Sequence, residues 1–238
     1  MSLWQSAGAL VVGHRGGRGE GWPRENTLAA FEQARAEGAR AIELDVRTCG
    51  TGDVVVLHDP TRASLGELRA VGVPTLAEAL AWAREKDVAV NVELKHDVPN
   101  RVVLVERVRR VVRPSRADVL LSSFDPLLLA AAAVALPASR RALLTSRDQR
   151  PHVPSAIATP PFVHALHLER TQTWPAAIAR YRRRGLRVGV WTVNDPREAV
   201  DLAALGVETL ITDAPGAVLQ AVYSGQVTGS TRIPGGAG

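Results

Sequence analysis

The chain has 238 residues, 46% of them apolar and 22% charged, an ordinary soluble composition with enough apolar material for one large core. No apolar run approaches the roughly 18 residues of a membrane span, the amino terminus lacks the basic start and long apolar stretch of a signal peptide, and the lone Cys49 excludes an intrachain disulfide or a cysteine zinc site; a cytoplasmic protein is expected. The formal charge of +5 resides almost entirely in arginine, Lys86 and Lys95 being the only lysines, and with no binding motif beside it this charge reads as solvated helix surface, not as a nucleic-acid interface.

Short β-branched runs alternate with amphipathic stretches along the whole chain. Residues 10–14 read as a strand and 27–37 as a helix, with Asn26 or Thr27 as N-cap and Gly38 as its stop. Residues 40–46 form the second strand, and the turn Gly50-Thr51-Gly52-Asp53 leads into 54–58. Parallel strands need a crossover of about a dozen residues, so this short link predicts an antiparallel hairpin. Centred near residues 51 and 52, the hairpin sets Asp45 opposite His58. Helices are expected at 74–85 (Thr75 as N-cap), 99–112, 126–135, 175–184, 196–205 and 215–223, and strands at 88–95, 119–123, 141–145, 163–168, 187–193 and 208–212. Residues 151–161 are too proline-rich for a long helix. Residues 224–238, rich in glycine, serine and threonine, read as a disordered tail behind a single domain at 1–223.

With the hairpin arm set aside, eight strands remain, mostly followed by helices, in a chain close to the roughly 250 residues of a (β/α)8 TIM barrel. An open doubly wound sheet is the competing α/β architecture. Strand parity favours the barrel: Ile42, Leu44 and Val46 share one face against Glu43 and Asp45, and Val90, Val92 and Leu94 oppose Asn91, Glu93 and Lys95. The polar sets then point inward at the carboxyl ends of their strands, where barrel active sites lie.

Glu43, Asp45 and Glu93 converge from neighbouring strands. Three like charges held together repel, and a hard divalent cation, Ca²⁺ or Mg²⁺, resolves the repulsion; neutralisation by Arg15 and Lys95 as salt bridges is the alternative. His14 and His58 suit a general acid–base pair, since imidazole titrates near neutrality, although either alone can be a hydrogen-bonded interior histidine. Arg15 and Lys95 offer a guanidinium fork and a point charge to an anionic substrate. With no serine or cysteine nucleophile elbow, this set fits phosphodiester hydrolysis.

The stretches His14-Arg15-Gly16, Glu25-Asn26-Thr27-Leu28-Ala29-Ala30-Phe31, Glu43-Leu44-Asp45-Val46 and His58-Asp59 resemble the glycerophosphodiester phosphodiesterase family. Val92-Glu93-Leu94-Lys95, Ser122-Ser123-Phe124, Trp191-Thr192-Val193-Asn194 and Ile211-Thr212-Asp213-Ala214-Pro215 follow in the family's order, so the resemblance spans about residues 10–222. It implies a (β/α)8 barrel that hydrolyses small-molecule glycerophosphodiesters to sn-glycerol 3-phosphate and an alcohol. By matching position it implies Glu43, Asp45 and Glu93 as ligands of Ca²⁺ or Mg²⁺, His14 and His58 as acid and base, Arg15 and Lys95 on the phosphate, and Trp191 against the glycerol end. Phe124 lines the pocket or packs in the core. Glu25 orients a group of the site or stabilises its helix terminus, and Asp213 is expected to cap the last helix.

The chain departs from the family's pattern in three places. Arg24 stands where proline usually precedes Glu-Asn-Thr, and the hairpin turn is longer than the usual Asp-Gly. Only 12 residues, 62–73, separate the His58 arm from the next helix, where many relatives insert a small subdomain. A short lid and an open pocket follow, which keeps a lysophospholipase D-like or phospholipase D-like action on lipid substrates as the alternative function.

Overall fold

The computed structural model describes residues 2–98, 100–147 and 162–228, with side chains as far as residue 224 in the last helix. The strand circuit closes on itself. β1 (Leu10–Gly13) pairs in parallel with both β2 (Ala41–Thr48) and β9 (Thr209–Thr212). From β9 the circuit runs through β8 (Arg187–Trp191), β7 (Ala165–Glu169), β6 (Arg140–Thr145), β5 (Val119–Ser123) and β4 (Ala89–Leu94) back to β2. Among the described residues this makes an eight-stranded parallel barrel, with β3 (Val54–Val56) as an antiparallel arm on β2. The helices between strands are α1 (Leu28–Ala36), α2 (Leu65–Ala70), α3 (Leu76–Lys86), α4 (Arg101–Ser115), α5 (Pro126–Ala135), α6 (Pro175–Arg183), α7 (Pro196–Ala204) and α8 (Pro215–Thr228). The chain is a (β/α)8 TIM barrel.

Local chemistry sets where these helices begin. The Thr27 hydroxyl accepts from Ala30 N at the start of α1, Thr75 and Glu78 form a reciprocal capping box on α3, and Asp125 and Asp195 each precede a proline in the first turn of α5 and α7. Packing follows the strand parity. Ile42, Leu44, Val46, Val90, Val92 and Leu94 face outward onto Phe31, Leu76, Leu80, Leu104 and Val108, each fully buried aliphatic side chain contributing about 1.5–3 kcal/mol. A second set, Leu10, Val12, Ala41, Ala89, Leu120, Ala142, Ala165 and Ile211, fills the barrel interior together with Trp4. Trp4 lies in a 3-10 turn at Leu3–Gln5 that the sequence reading did not foresee, tied to the barrel by Leu3 N and Ser2 Oγ donating to Asp118 at 2.7 Å. The amino-terminal end of the barrel is therefore plugged, and the carboxyl end is left for chemistry.

Three expectations change. The hairpin register is displaced by one residue: Val46 pairs with Val56, and Leu57 N donates to Asp45 O at 3.0 Å, so Asp45 stands opposite Leu57 instead of His58. The cause is a three-residue loop. Cys49 N donates to Asp53 O, and Gly52, at φ 89°, takes the left-handed position that such a loop needs. Second, the link 62–73 is not bare but carries α2, opened by a Ser64–Glu67 capping box, with Leu68 buried against Cys49, Val55 and Val73. Third, α8 continues to Thr228, five residues past the expected end. Residues 224–228 of the expected 224–238 tail are thus helical, and its remainder, 229–238, and the proline-rich stretch 151–161 lie outside the described residues. Among the described residues no helix is long and apolar enough to cross a membrane.

Candidate active site

A cavity of about 350 Å³ opens at the carboxyl ends of the strands, bordered by His14, Arg15, Glu43, His58, Glu93, Lys95, Phe124 and Trp191. Of the catalytic, ligand and binding residues expected from the sequence, Asp45 and Glu25 stand behind this wall. Phe124 and Trp191 meet edge to face with ring centroids 5.5 Å apart, forming an aromatic side opposite the charged one.

His14 follows β1, where its N donates to Thr212 O at 2.8 Å. Its Nδ1 lies 2.7 Å from Asp213 Oδ1; a carboxylate only accepts, so Nδ1 carries the proton and Nε2 is left facing the cavity. Nε2 lies 4.0 Å from Glu43 Oε2. Asp213 also receives Arg18 Nε at 3.0 Å, Arg18 Nη2 at 3.1 Å and Asn194 Nδ2 at 2.9 Å. Burial opposes its charge, but these donors outweigh burial and hold its carboxyl well below the usual range. The capping role expected for Asp213 gives way to this one.

The turn after His14 is shaped by backbone constraint. Gly13 has no room for a Cβ, which would collide with the carbonyl of Gly16, and Arg15 and Asn26 both adopt left-handed φ values, 54° and 57°. Arg15 N thereby donates to Glu43 Oε2 at 2.9 Å. The Arg15 side chain reaches Glu25 Oε1 at 2.7 Å and Asp45 Oδ2 at 3.1 Å. Asn26 grips Asp45 twice, Nδ2 donating to Oδ2 at 2.9 Å and Oδ1 accepting from Asp45 N at 3.3 Å. Glu25 thus holds Arg15 from behind, and Asn26, which the sequence suggested only as a cap, orients a carboxylate.

Glu43, Asp45 and Glu93 each present an oxygen within 4.8 Å of the other two, all three residues being buried. Lys95 Nζ bridges two of them, at 2.9 Å from Glu93 Oε1 and 3.3 Å from Asp45 Oδ1. Burial works against the Asp45 charge, but Lys95 and Arg15 hold its carboxyl below the usual value. Glu43 and Glu93 move the other way: burial first, then the Asp45 charge, push Glu43 well up and Glu93 up to about 7. Glu43 Oε1 is buried without a hydrogen-bond partner. A cluster still short of positive charge after Arg15 and Lys95 are counted, with a free buried oxygen, fits a divalent cation with oxygen ligands.

His58 sits where the β3 arm ends, with Nδ1 2.7 Å from Asp59 Oδ1, and is more exposed than His14. His167 is fully buried in the barrel interior, where burial depresses its pKa to about 4. His164 accepts from Arg141 N, His96 lies beside Phe124, and His152 is outside the described residues. Asp213 and Asn26, read from the sequence only as helix caps, and Asn194 and Arg18, given no role there, are the site groups that sequence reasoning missed. The motifs around residues 26, 194 and 213 marked the first loop and the last two strand ends, but not which side chains meet there.

Comparison with known proteins agrees with this geometry. The family model of the glycerophosphoryl diester phosphodiesterase family matches residues 14–71 and 61–217. The uncharacterised protein YqiK of Bacillus subtilis is 30% identical, over 86% of this chain and 95% of its own length. The glycerophosphodiester phosphodiesterase of Caldanaerobacter subterraneus is 27% identical, over 91% and 98%. Among solved structures, a putative glycerophosphoryl diester phosphodiesterase of Silicibacter pomeroyi superposes with TM-score 0.80 at 26% identity, covering 94% of this chain and 97% of that one. An Oleispira antarctica phosphodiesterase in complex with its product sn-glycerol-3-phosphate has the same fold, with TM-score 0.81 at 23% identity over 92% and 99%. With barrel, cavity and motifs in register along its length, the chain belongs to the glycerophosphoryl diester phosphodiesterase family and is a phosphoric diester hydrolase.

Proposed function

We propose that the chain is a cytoplasmic, divalent-cation-dependent enzyme that hydrolyses small glycerophosphodiesters to sn-glycerol 3-phosphate and an alcohol, with His14 and His58 as its acid–base pair. The observation that carries this reading is the convergence on one cavity of two imidazoles, each with Nδ1 on a carboxylate, and a buried three-carboxylate cluster. The named activity of the Caldanaerobacter relative supports the reaction class, and the product held by the Oleispira enzyme illustrates it on the same fold.

Glu43, Asp45 and Glu93 would hold Ca²⁺ or Mg²⁺, which when bound supplies Lewis-acid polarisation of a phosphoryl oxygen and neutralises charge. One imidazole takes the proton of the attacking hydroxyl as its oxygen bonds to phosphorus. The other delivers a proton to the departing alcohol oxygen as the old P–O bond breaks, each positioned group being worth about 10²–10⁴ in rate. Arg15 and Lys95, at the cavity wall, present positive charge to the phosphate while balancing the carboxylates. Trp191 and Phe124 offer the aromatic side to the glycerol carbons, and Glu25 keeps Arg15 in place.

The test is turnover of glycerophosphocholine, glycerophosphoethanolamine and lysophosphatidylcholine with Ca²⁺, Mg²⁺ or EDTA, reading glycerol 3-phosphate and free headgroup. Cation-dependent release of glycerol 3-phosphate is expected, with His58→Ala folded but about 10²–10⁴-fold slower, and Glu43→Gln demanding more cation. Preference for the lysolipid would promote the lipid-acting alternative, and no turnover with either cation would remove the proposal.

A further inference from the structure

Strand alternation alone aims His58 away from the cavity. β3 ends at Val56, and Val54 and Val56 belong to the helix-side core, so an extended continuation would put His58 on that same outer face. His58 nevertheless lines the cavity, because the chain leaves the strand after Val56 and bends at residues 58 and 59. The side chain that meets this bend is Arg47, on β2 two residues beyond Asp45.

Arg47 is 2% exposed. Its Nε donates to Leu57 O at 3.3 Å and its Nη2 to His58 O, and Nη2 also lies 3.0 Å from Asp97 Oδ1. One guanidinium thus takes two successive carbonyls of the bend and is itself held by a carboxylate from the loop after β4. A planar fork can do this with fixed geometry, whereas an ammonium offers a point charge on a flexible stem. A guanidinium buried this deeply also carries a desolvation penalty that only such acceptors offset.

We propose that Arg47 is a positioning residue for catalysis: by clamping the Leu57 and His58 carbonyls it turns His58 into the cavity, with Asp97 setting the guanidinium. This rests on the reading of His58 as an acid–base group. Arg47 itself touches no substrate; the cavity wall does not include it.

The experiment compares Arg47→Lys, Arg47→Ala, Asp97→Asn, His58→Ala and the Arg47→Lys/His58→Ala double variant on glycerophosphocholine with saturating cation. Misplacing a reacting group by about 1 Å costs on the order of 10²-fold. Arg47→Lys is therefore expected to lose about 10–100-fold in kcat with KM within about twofold. In the His58→Ala background the same change should have no further effect. Arg47→Ala should regain kcat on addition of guanidinium at non-denaturing concentration, while His58→Ala does not. If Arg47→Lys fails to fold, Asp97→Asn, altered at a half-exposed carboxylate, carries the test through the same kcat and KM split. A wild-type kcat in Arg47→Lys and Asp97→Asn beside a crippled His58→Ala overturns the proposal. So does an equal loss from Arg47→Lys with and without His58. An active His58→Ala instead removes the acid–base reading beneath it.

Discussion

Raising the pH of the cation-free protein from about 5 to about 8 should destabilise it, and Glu93 sets the magnitude. Burial, then the charge of Asp45, pushes the Glu93 carboxyl from its ordinary 4.5 up to about 7. The unfolded chain releases this proton near 4.5 and the folded chain near 7, so between those values the native state binds more protons and stability falls as pH rises. The stabilisation is complete at acid pH and is lost through about 7. A gap of roughly 2.5 pH units at about 1.4 kcal/mol each comes to about 3.5 kcal/mol, or roughly 7–14 °C in Tm for a domain of this size. Glu43, raised by the same burial and the same neighbour, acts in the same direction. The assay is thermal unfolding by circular dichroism in EDTA across that range, for the wild type and for Glu93→Gln, whose amide has the same shape and does not titrate. Wild type should lose stability with pH relative to the variant, and Ca²⁺ at the alkaline end should restore wild type more than the variant. Parallel pH curves for the two proteins in EDTA would refute the reasoning.

Asp213→Asn keeps a side chain of the same size beside His14 but removes the charge that fixes its Nδ1 proton; kcat should fall about 10²-fold or more with the fold unchanged, and a near-wild-type rate would deny Asp213 that role. Gly189→Ala places a Cβ 2.5 Å from His167 Cδ2 in a fully buried site, which should cost about 1–3 kcal/mol by overpacking; an unmoved urea midpoint would show that the barrel interior can give way there.

Periodicity and punctuation carried most of the fold. The alternation Ile42/Glu43/Leu44/Asp45 separates helix-facing from barrel-facing residues because a strand's period is two, and eight such strands in a chain this long leave little but a closed barrel. The cluster of Glu43, Asp45 and Glu93 was legible for the same reason, since parallel register brings Asp45 beside Glu93. Asp213 and Asn26 were not. Their partners, His14 and Asp45, lie 199 and 19 residues away, and nothing in a local pattern separates an aspartate that caps a helix from one that turns to an imidazole.

His58 shows why the remaining geometry escapes pattern reading. A hairpin centre taken half a residue off put Asp45 opposite the histidine and reached the right neighbourhood by the wrong path. The actual loop has an odd number of residues, and with that register strand parity alone would point the imidazole outward. What turns it inward is a departure from the strand, held by side-chain donors on main-chain acceptors. Such bonds have no period and no required spacing, so they appear only when β2, the arm and the loop after β4 are placed together. The site therefore combines two kinds of order. The regular barrel places the carboxylates side by side, with Arg15 and Asn26 of the first loop orienting Glu43 and Asp45, and both histidines are set by what caps its irregular ends: His14 by Asp213, Arg18 and Asn194 at the β9 end, His58 by Arg47 and Asp97. The His14 clamp is not isolated from the carboxylates: Arg18 also reaches Glu25 at 3.3 Å, and Glu25 holds the Arg15 that pairs with Asp45.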